Sequence, residues 1–210
     1  MQINVDEQKL LEIKMKKIII FGGSGFVGKH LSDLLAKKSL EFLIADIVKP
    51  RKNQWKFILS DVRKRISFSA DNRDNIIINL AAIHKTPGHP DRDYFETNIK
   101  GAENICNFAR ENNINSIVFT SSIAVYGTYE DKKSELTLPM PDIPYGISKL
   151  SAESIHRQWQ MEDPENRRLI ILRPGVVFGM YEQANFTRLV NSLQKKFFAY
   201  VGRKDVKKAC

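Results

Sequence analysis

The sequence predicts an α/β fold, a doubly wound parallel sheet with helices on both faces. Three observations support this prediction. Short β-branched runs recur along the chain, amphipathic stretches separate them, and a glycine-rich turn lies between the first run and the first amphipathic stretch. Parallel strands joined by helices form right-handed crossovers, which place helices on both faces of the sheet.

The composition is typical of one globular domain in a reducing compartment. The chain has 210 residues, of which 42% are hydrophobic, and a formal net charge of +9. Its 2 cysteines are too few for a disulfide framework or a metal site, so we expect no metal and a cytoplasmic location. No apolar run has the roughly 18 residues of a membrane span, and the charged N-terminus predicts no secretion signal. The scattered lysines favour a phosphate-rich ligand over nucleic acid.

The predicted elements follow from where the apolar runs begin and end. Each predicted strand is a short apolar run: 17–21, 41–45, 55–59, 75–81, 115–120 and 168–172. Apolar residues at helical spacing predict a helix after the glycine turn and others over 91–113, 143–161 and 186–196. The alternation weakens past Gly179, although 197–201 is predicted to be extended. Residues 1–15 are predicted to be a polar tail, and 16–179 the main domain.

Glycines dominate the turn between the first strand and the first helix. Gly22, Gly25 and Gly28 fit the spacing G-x-x-G-x-x-G, and glycine is needed where a tight turn leaves no room for a Cβ. The amides at the start of the following helix can then face a pyrophosphate. Asp46 ends the second strand, where a carboxylate accepts hydrogen bonds from an adenosine ribose. The pattern predicts a Rossmann-type dinucleotide site.

Asp46 also indicates which dinucleotide binds. A carboxylate at the ribose repels a 2′-phosphate, so the sequence predicts NAD rather than NADP. Nearby cations leave the alternative open, because they could hold that phosphate: Lys49, Arg51 and Lys52.

A second group of residues has the types needed for proton transfer. Ser122 follows the fifth strand, and Tyr145 and Lys149 lie one turn apart on one face of a helix. An ammonium and a positive nicotinamide ring both stabilise phenolate, so we expect the pKa of Tyr145 to fall from about 10 towards 7, which takes roughly 4 kcal/mol. Taken alone, a Tyr-x-x-x-Lys pair is more often an ordinary pair on an amphipathic helix, because this spacing is common by chance.

Together, these motifs resemble the extended short-chain dehydrogenase/reductase superfamily, and within it the NAD-dependent nucleotide-sugar epimerase/dehydratase family that includes UDP-galactose 4-epimerases. The resemblance runs from Lys16 to the end of the chain. It is based on motifs that occur in the same order: GGSGFVG at 22–28, SDV at 60–62, NLAA at 79–82, NIKG at 98–101, SSIAVYG at 121–127, PYGISK at 144–149 and LRPGVVFG at 172–179.

The resemblance implies a role for each matching residue. Tyr145 would be the general acid and base, Lys149 would bind the nicotinamide ribose and lower the pKa of Tyr145, and Ser122 would bind the reacting oxygen. Asn98 would lie at a helix bend beside these catalytic residues, with a satisfied helix amide as the alternative. Glu153 would support Lys149 through an ion pair. The residues implied to bind NAD are Gly22, Gly25, Phe26, Val27, Gly28, Asp46, Asp61, Val62, Leu80, Ala81, Ala82, Tyr145, Lys149 and Pro174.

Departures from the family pattern narrow the reaction. Ile123 and Ala124 stand where the family's dehydratases and decarboxylases carry acidic residues, so dehydration and decarboxylation are not expected. Val176 stands where many members have an asparagine that contacts the substrate diphosphate. Asn185 and Arg188 are candidates to replace that contact. With Ser122 and Tyr145, they are the expected substrate-binding residues.

The resemblance implies NAD-dependent epimerisation of a nucleotide-linked sugar through a transient keto intermediate. A net-redox reductase or dehydrogenase on the same substrate, or a catalytically idle NAD-binding module, are the alternatives. Residues 180–210 would begin a small substrate lobe that is incomplete, so we expect the chain to hold NAD but to turn over substrate poorly. A homodimer is implied through helices 91–113 and 143–161, with these candidate anchors: Phe95, Phe108, Ile155 and Trp159.

Overall fold

The computed structural model describes residues 17–70, 74–85, 88–128, 132–182 and 185–196. The described strands are β1 (Ile18–Phe21), β2 (Phe42–Asp46), β3 (Phe57–Leu59), β4 (Ile76–Asn79), β5 (Ser116–Thr120) and β6 (Arg168–Leu172). All neighbouring strands pair in parallel, in the order β3-β2-β1-β4-β5-β6. The order reverses direction between β1 and β4, and ligands of such sheets bind beyond the carboxyl ends of the strands at that point. The predicted fold class is confirmed.

The described helices are α1 (Phe26–Lys37), α2 (Asp91–Tyr94), α3 (Lys100–Glu111), α4 (Pro144–Met161) and α5 (Asn185–Gln194). One wide π-helical turn (Phe95–Ile99) separates α2 from α3, and a 3₁₀ turn (Ile123–Tyr126) follows β5. The predicted helix over 91–113 is present as far as Glu111, and its π-helical turn includes Asn98, the residue at which the resemblance implied a helix bend. The predicted tail 1–15 and the predicted extended segment 197–201 lie outside the described residues.

Helices cover both faces of the central strands. Ile19 and Phe21 belong to a core cluster with Phe108 and Trp159 from the helices α3 and α4. Ile20, on the opposite face of β1, packs in a cluster with residues of α1 and β2. Central parallel strands buried on both faces read as continuous apolar runs, which is why IIIF at 18–21 predicted a strand correctly.

Two of the predicted dimer anchors are buried in this core. Phe108 is 1% exposed and Trp159 is 0% exposed, so neither side chain can contact a second copy of the chain. Their identification as anchors was wrong, because helical spacing alone does not tell which apolar face meets the sheet. Ile155 is partly buried against the core as well.

The sheet edge formed by β6 keeps apolar surface exposed. Ile170 and Leu172 are 56% and 48% exposed, and the segment after β6 continues this surface with Val177 and Phe178 at 47% and 50%. In the described ranges, no helix is long and apolar enough to cross a membrane.

Candidate functional site

The glycine turn packs against the turn that follows β4. Gly22 has φ +75, and a Cβ there would lie 2.6 Å from the backbone nitrogen of Ala81. A Cβ on Gly28 would lie 2.4 Å from the carbonyl oxygen of Gly23. Only glycine fits at both positions. Gly25 begins α1, whose first turn has no side-chain cap, so the backbone N–H groups there are available to an anion.

Asp46 holds the glycine turn next to the end of β2. Its Oδ2 accepts a hydrogen bond from the backbone N–H of Ser24 at 2.9 Å, and its Oδ1 accepts one from Val48 at 3.0 Å. The carboxylate is thus fixed at the position where the sequence predicted a ribose partner. Among the cations that could instead hold a 2′-phosphate, Lys52 is already paired with Asp33.

Asp61 and Val62 follow β3 with different surroundings. The Asp61 carboxylate accepts hydrogen bonds from the guanidinium of Arg63 at 2.8 and 2.9 Å, and these bonds hold its pKa below the usual value. The Val62 side chain packs in the core, and its carbonyl oxygen accepts a 2.7 Å bond from Asn104. Asp61 is therefore the better placed of the two to meet a ligand with its side chain.

Asn98 joins the loop after β4 to the helix α4. Its Oδ1 accepts from the N–H of Ile83 at 3.0 Å, and its Nδ2 donates to the Ile83 carbonyl at 3.1 Å and to Ser148 Oγ at 2.8 Å. Asn98 is 3% exposed. It lies in the π-helical turn, where the widened backbone interrupts the helix. The side chain is fully used in holding these elements together, which matches the alternative interpretation of a satisfied amide.

Ser122 and Tyr145 meet at the carboxyl end of β5. Ser122 caps the 3₁₀ turn, accepting a 3.2 Å hydrogen bond from the N–H of Ala124. Burial raises the pKa of Tyr145, and a hydrogen bond with Ser122 opposes that rise. In the protein without a cofactor, burial thus disfavours the phenolate. The expected fall in the pKa of Tyr145 includes the charge of a bound nicotinamide ring and stays a prediction. The N–H of Ile123 bonds the carbonyl of Pro174 at 3.1 Å, which places the segment after β6 beside this turn.

Lys149 is buried one turn further along α4. It is 2% exposed, and its Nζ lies 4.6 Å from the centre of the Phe119 ring. Burial lowers the pKa of Lys149 to about 7, while the negative charge of Glu153 acts in the opposite direction. The charge of Lys149 can therefore change at neutral pH when a ligand binds.

A buried ion pair lies one turn beyond Lys149, and only one of its two residues was predicted from the sequence. Glu153 is 1% exposed and accepts two hydrogen bonds from Arg173, at 2.8 and 2.6 Å. Arg173 also donates to the Tyr126 hydroxyl at 2.7 Å. Glu153 forms an ion pair, as expected, but with Arg173 rather than with Lys149, and this arginine was missed. The signal available was an arginine directly after β6, in the motif LRPGVVFG.

The remaining predicted residues are distributed around this centre. Phe26 and Val27 line a cavity of about 490 Å³ between α1 and residues 177–179. Leu80, Ala81 and Ala82 form the half-buried turn after β4. Arg188 is exposed on α5, with no contact that brings it to Tyr145 among the described residues. The side chain of Asn185 lies outside the described part of the chain.

Known proteins are similar to this chain in sequence. A family model described as the NAD dependent epimerase/dehydratase family matches residues 18–204. The N-acetyl-alpha-D-glucosaminyl-diphospho-ditrans,octacis-undecaprenol 4-epimerase of Escherichia coli O157:H7 is 31% identical over 189 residues, covering 88% of this chain and 56% of that protein. The UDP-glucose 4-epimerase of Neisseria meningitidis serogroup B (strain ATCC BAA-335 / MC58) is 29% identical over 209 residues, covering 89% and 60%.

Solved structures agree on the fold. A UDP-galactose 4-epimerase has a TM-score of 0.73 and 20% identity, covering 86% of this chain and 63% of that one. A UDP-glucuronic acid 4-epimerase from Bacillus cereus in complex with NAD has a TM-score of 0.71 and 24% identity, covering 86% and 64%. The chain spans 56% to 63% of the length of the first relatives that it matches.

Proposed function

Since the chain belongs to the NAD-dependent epimerase/dehydratase family, we propose that it epimerises a nucleotide-linked sugar through a transient keto sugar. NAD is the cofactor of this family, as the sequence predicted. One observation supports the proposal most strongly: Tyr145 hydrogen-bonds Ser122, and Lys149 lies one turn further along α4.

The glycine turn fits a dinucleotide. The backbones at Gly22 and Gly28 approach their neighbours so closely that a Cβ would clash, and the N-terminus of α1 is open beside them. Asp46 would accept hydrogen bonds from the adenosine ribose, and Asp61 would lie at the adenine end. Tyr145 and Lys149 would be at the nicotinamide end. The other residues proposed to line the cofactor are Gly25, Phe26, Val27, Val62, Leu80, Ala81, Ala82 and Pro174.

The chain's own residues supply the proton transfer. When bound, NAD accepts a hydride from the sugar and gives it back. Tyr145 removes the proton of the sugar hydroxyl and later returns it, while Ser122 hydrogen-bonds the same oxygen. Because burial raises the pKa of Tyr145, the phenol needs a nearby positive charge before it can act as a base. Lys149 is the cation in position to provide it.

Asn98 enters this mechanism as a positioning residue. Its hydrogen bonds hold Ser148, on the same helix as Tyr145 and Lys149, against the loop after β4. We propose that it fixes the catalytic helix relative to the loop on the cofactor side, without contacting the substrate.

The substrate class follows from what the relatives share. The Escherichia coli relative is named for a diphospho-linked sugar and the Neisseria meningitidis relative for UDP-glucose. In both, a diphosphate carries the sugar. We propose that Arg188 and Asn185, in the lobe that begins at residue 180, contact this diphosphate. The domain 16–179 would hold NAD.

Assembly and location complete the proposal. We propose a cytoplasmic homodimer formed through α3 and α4. On α4, Ile147 is 41% exposed and Met161 is 70% exposed, which leaves apolar surface for a second copy. Phe95 and Ile155 remain candidates, whereas Phe108 and Trp159 do not.

An assay for both product and cofactor tests the function. The chain, loaded with NAD, is incubated with a panel of nucleotide sugars, while NMR follows the configuration of the sugar and absorbance follows NADH. Epimerised sugar without net NADH supports the proposal. Stoichiometric NADH with oxidised sugar would instead identify a dehydrogenase. Because poor turnover is already expected from the incomplete lobe, only bound NAD with no change in any sugar after long incubation would contradict epimerisation by this chain and favour an idle binding module.

A further inference from the structure

His156 lies on the buried face of α4, beyond Lys149. Its side chain is 0% exposed, and its ring stacks on Phe119 with 4.2 Å between ring centroids and 12° between ring planes. Lys149 contacts the same Phe119 ring. None of the proton-transfer steps uses His156, although a fully buried imidazole is costly unless its ring nitrogens are hydrogen-bonded.

The hydrogen bonds of His156 define its tautomer. Nδ1 lies 2.7 Å from the carbonyl oxygen of Ala152, which can only accept, so Nδ1 carries the proton. Nε2 lies 3.4 Å from Nδ2 of Asn79, a long hydrogen bond in which the amide donates. Burial lowers the pKa of His156 to about 4, and the charge of Lys149 contributes to the fall. The imidazole is therefore neutral at physiological pH.

Asn79 links His156 to the turn after β4, on the side where the cofactor is proposed to bind. Its Oδ1 accepts a 3.1 Å hydrogen bond from the N–H of Ala81, so its amide orientation is determined. Ala81 is the residue against which Gly22 packs so closely that a Cβ would clash. A continuous chain of hydrogen bonds thus runs from Ala81 through Asn79 and His156 to the backbone of α4.

We propose that His156 is a positioning residue that holds the turn after β4 against α4, and so sets the cofactor-binding turn at a fixed distance from Tyr145 and Lys149. Without an acceptor at Nε2, the Asn79 amide is left as a buried donor without a partner. Rotation of the Asn79 side chain would relieve the cost of this unpaired donor, but it would break the hydrogen bond to the N–H of Ala81. The turn after β4 would then be free to move relative to Gly22. The proposal rests on the proposed NAD site but on no particular substrate.

Substitutions at one position separate this role from simple packing. His156→Phe keeps the stacked ring but has no acceptor. His156→Gln reaches the place of Nε2 with a carbonyl oxygen, whereas the shorter His156→Asn reaches only the place of Nδ1. Trp159→Phe is the control, because Trp159 is equally buried on α4 and its Nε1 has no hydrogen-bond partner among the described residues. The NAD dissociation constant is measured by calorimetry on each folded variant, alongside its melting temperature.

We expect His156→Phe and His156→Asn to bind NAD about tenfold more weakly than the wild type. His156→Gln should bind within about twofold of it, and Trp159→Phe should lose melting temperature without losing NAD affinity. If His156→Phe does not fold, the NAD affinities of His156→Gln and His156→Asn decide whether the hydrogen bond at Nε2 matters. Equal NAD affinity for Gln and Asn, or a loss in Trp159→Phe as large as that in His156→Asn, would overturn the proposal. Failure of the wild type to bind NAD would instead overturn the proposed cofactor site.

Discussion

Tyr145 and Lys149 are both pushed towards their neutral forms in the protein alone. Burial raises the pKa of Tyr145 and lowers that of Lys149 to about 7. An ammonium on Lys149 and a phenolate on Tyr145 each favour the other. We propose that this pair of charges, which proton transfer needs, forms only when a ligand is bound.

Replacing Tyr145 by Phe removes the proton-transfer group and little else. We expect turnover to fall by about 10²–10⁴-fold, because that is the usual contribution of a positioned acid or base. NAD affinity should stay near the wild-type value, measured by calorimetry beside a steady-state assay. Tyr181→Phe is the matched control, since Tyr181 is 69% exposed. A Tyr145→Phe variant with more than a tenth of wild-type turnover would show that another group is the base.

The buried Lys149 should make stability depend on pH. Its pKa falls from 10.5 to about 7 on folding, so between these values the unfolded chain binds more protons and stability rises with pH. Below pH 7 both states are protonated and the dependence ends. We expect the unfolding free energy of the wild type to rise relative to that of Lys149→Met between pH 7 and 9, by at most about 1.4 kcal/mol per pH unit. Parallel urea curves of the two proteins at several pH values measure this, and identical pH dependence would contradict it.

At the scale of elements, the ion pair of Glu153 and Arg173 joins α4 to the end of β6. Removing one partner of a buried pair leaves an uncompensated charge, which costs about 3–5 kcal/mol. We expect Arg173→Met to lose up to that much unfolding free energy, because Glu153 would still have its longer, 3.5 Å pair with Arg157. The control is Arg65→Ala, because the Arg65–Glu111 pair has side chains 83% and 46% exposed and should contribute at most about 1 kcal/mol. Equal losses of unfolding free energy in the two variants, measured by urea denaturation, would show that the buried pair stabilises the protein no more than the exposed pair does.

The strands were predictable because each is a continuous apolar run between turns. Every predicted strand is present, and β6 has the predicted bounds, Arg168–Leu172. The resemblance implied a bend at Asn98, but the π-helical form of this turn was not predicted, since Asn98 forms hydrogen bonds there to Ile83 and Ser148 on other elements. The spacing of apolar residues along a helix does not reveal hydrogen-bond partners that are distant in sequence.

The residues of the candidate site likewise fall into those that the sequence predicted and those that it did not. Tyr145 and Lys149 were found because their spacing on one helix is itself the signal. Arg173 and the chain of hydrogen bonds through His156 were missed, because each links positions far apart in sequence. The burial that raises the pKa of Tyr145 was missed for a related reason, since burial is a property of the folded molecule.

For the molecule as a whole, the proposed homodimer has a direct test. Light scattering at high protein concentration should give twice the mass of the 210-residue chain. Ile147→Glu places a charge on the exposed face of α4 and should shift the protein to a monomer. Leu59→Glu, on the edge strand β3, should leave the mass unchanged, because Leu59 is exposed at the other side of the sheet. A monomeric wild type would contradict the proposal.

The central claim is that the glycine turn, Asp46 and the Tyr145–Lys149 pair together form a site for NAD. Calorimetric titration of the chain with NAD and with NADP tests it most directly, because it requires neither a known substrate nor turnover. We expect one NAD to bind per chain and NADP to bind more weakly, since the Asp46 carboxylate repels a 2′-phosphate. Absence of NAD binding, or NADP binding as tightly as NAD, would contradict the account.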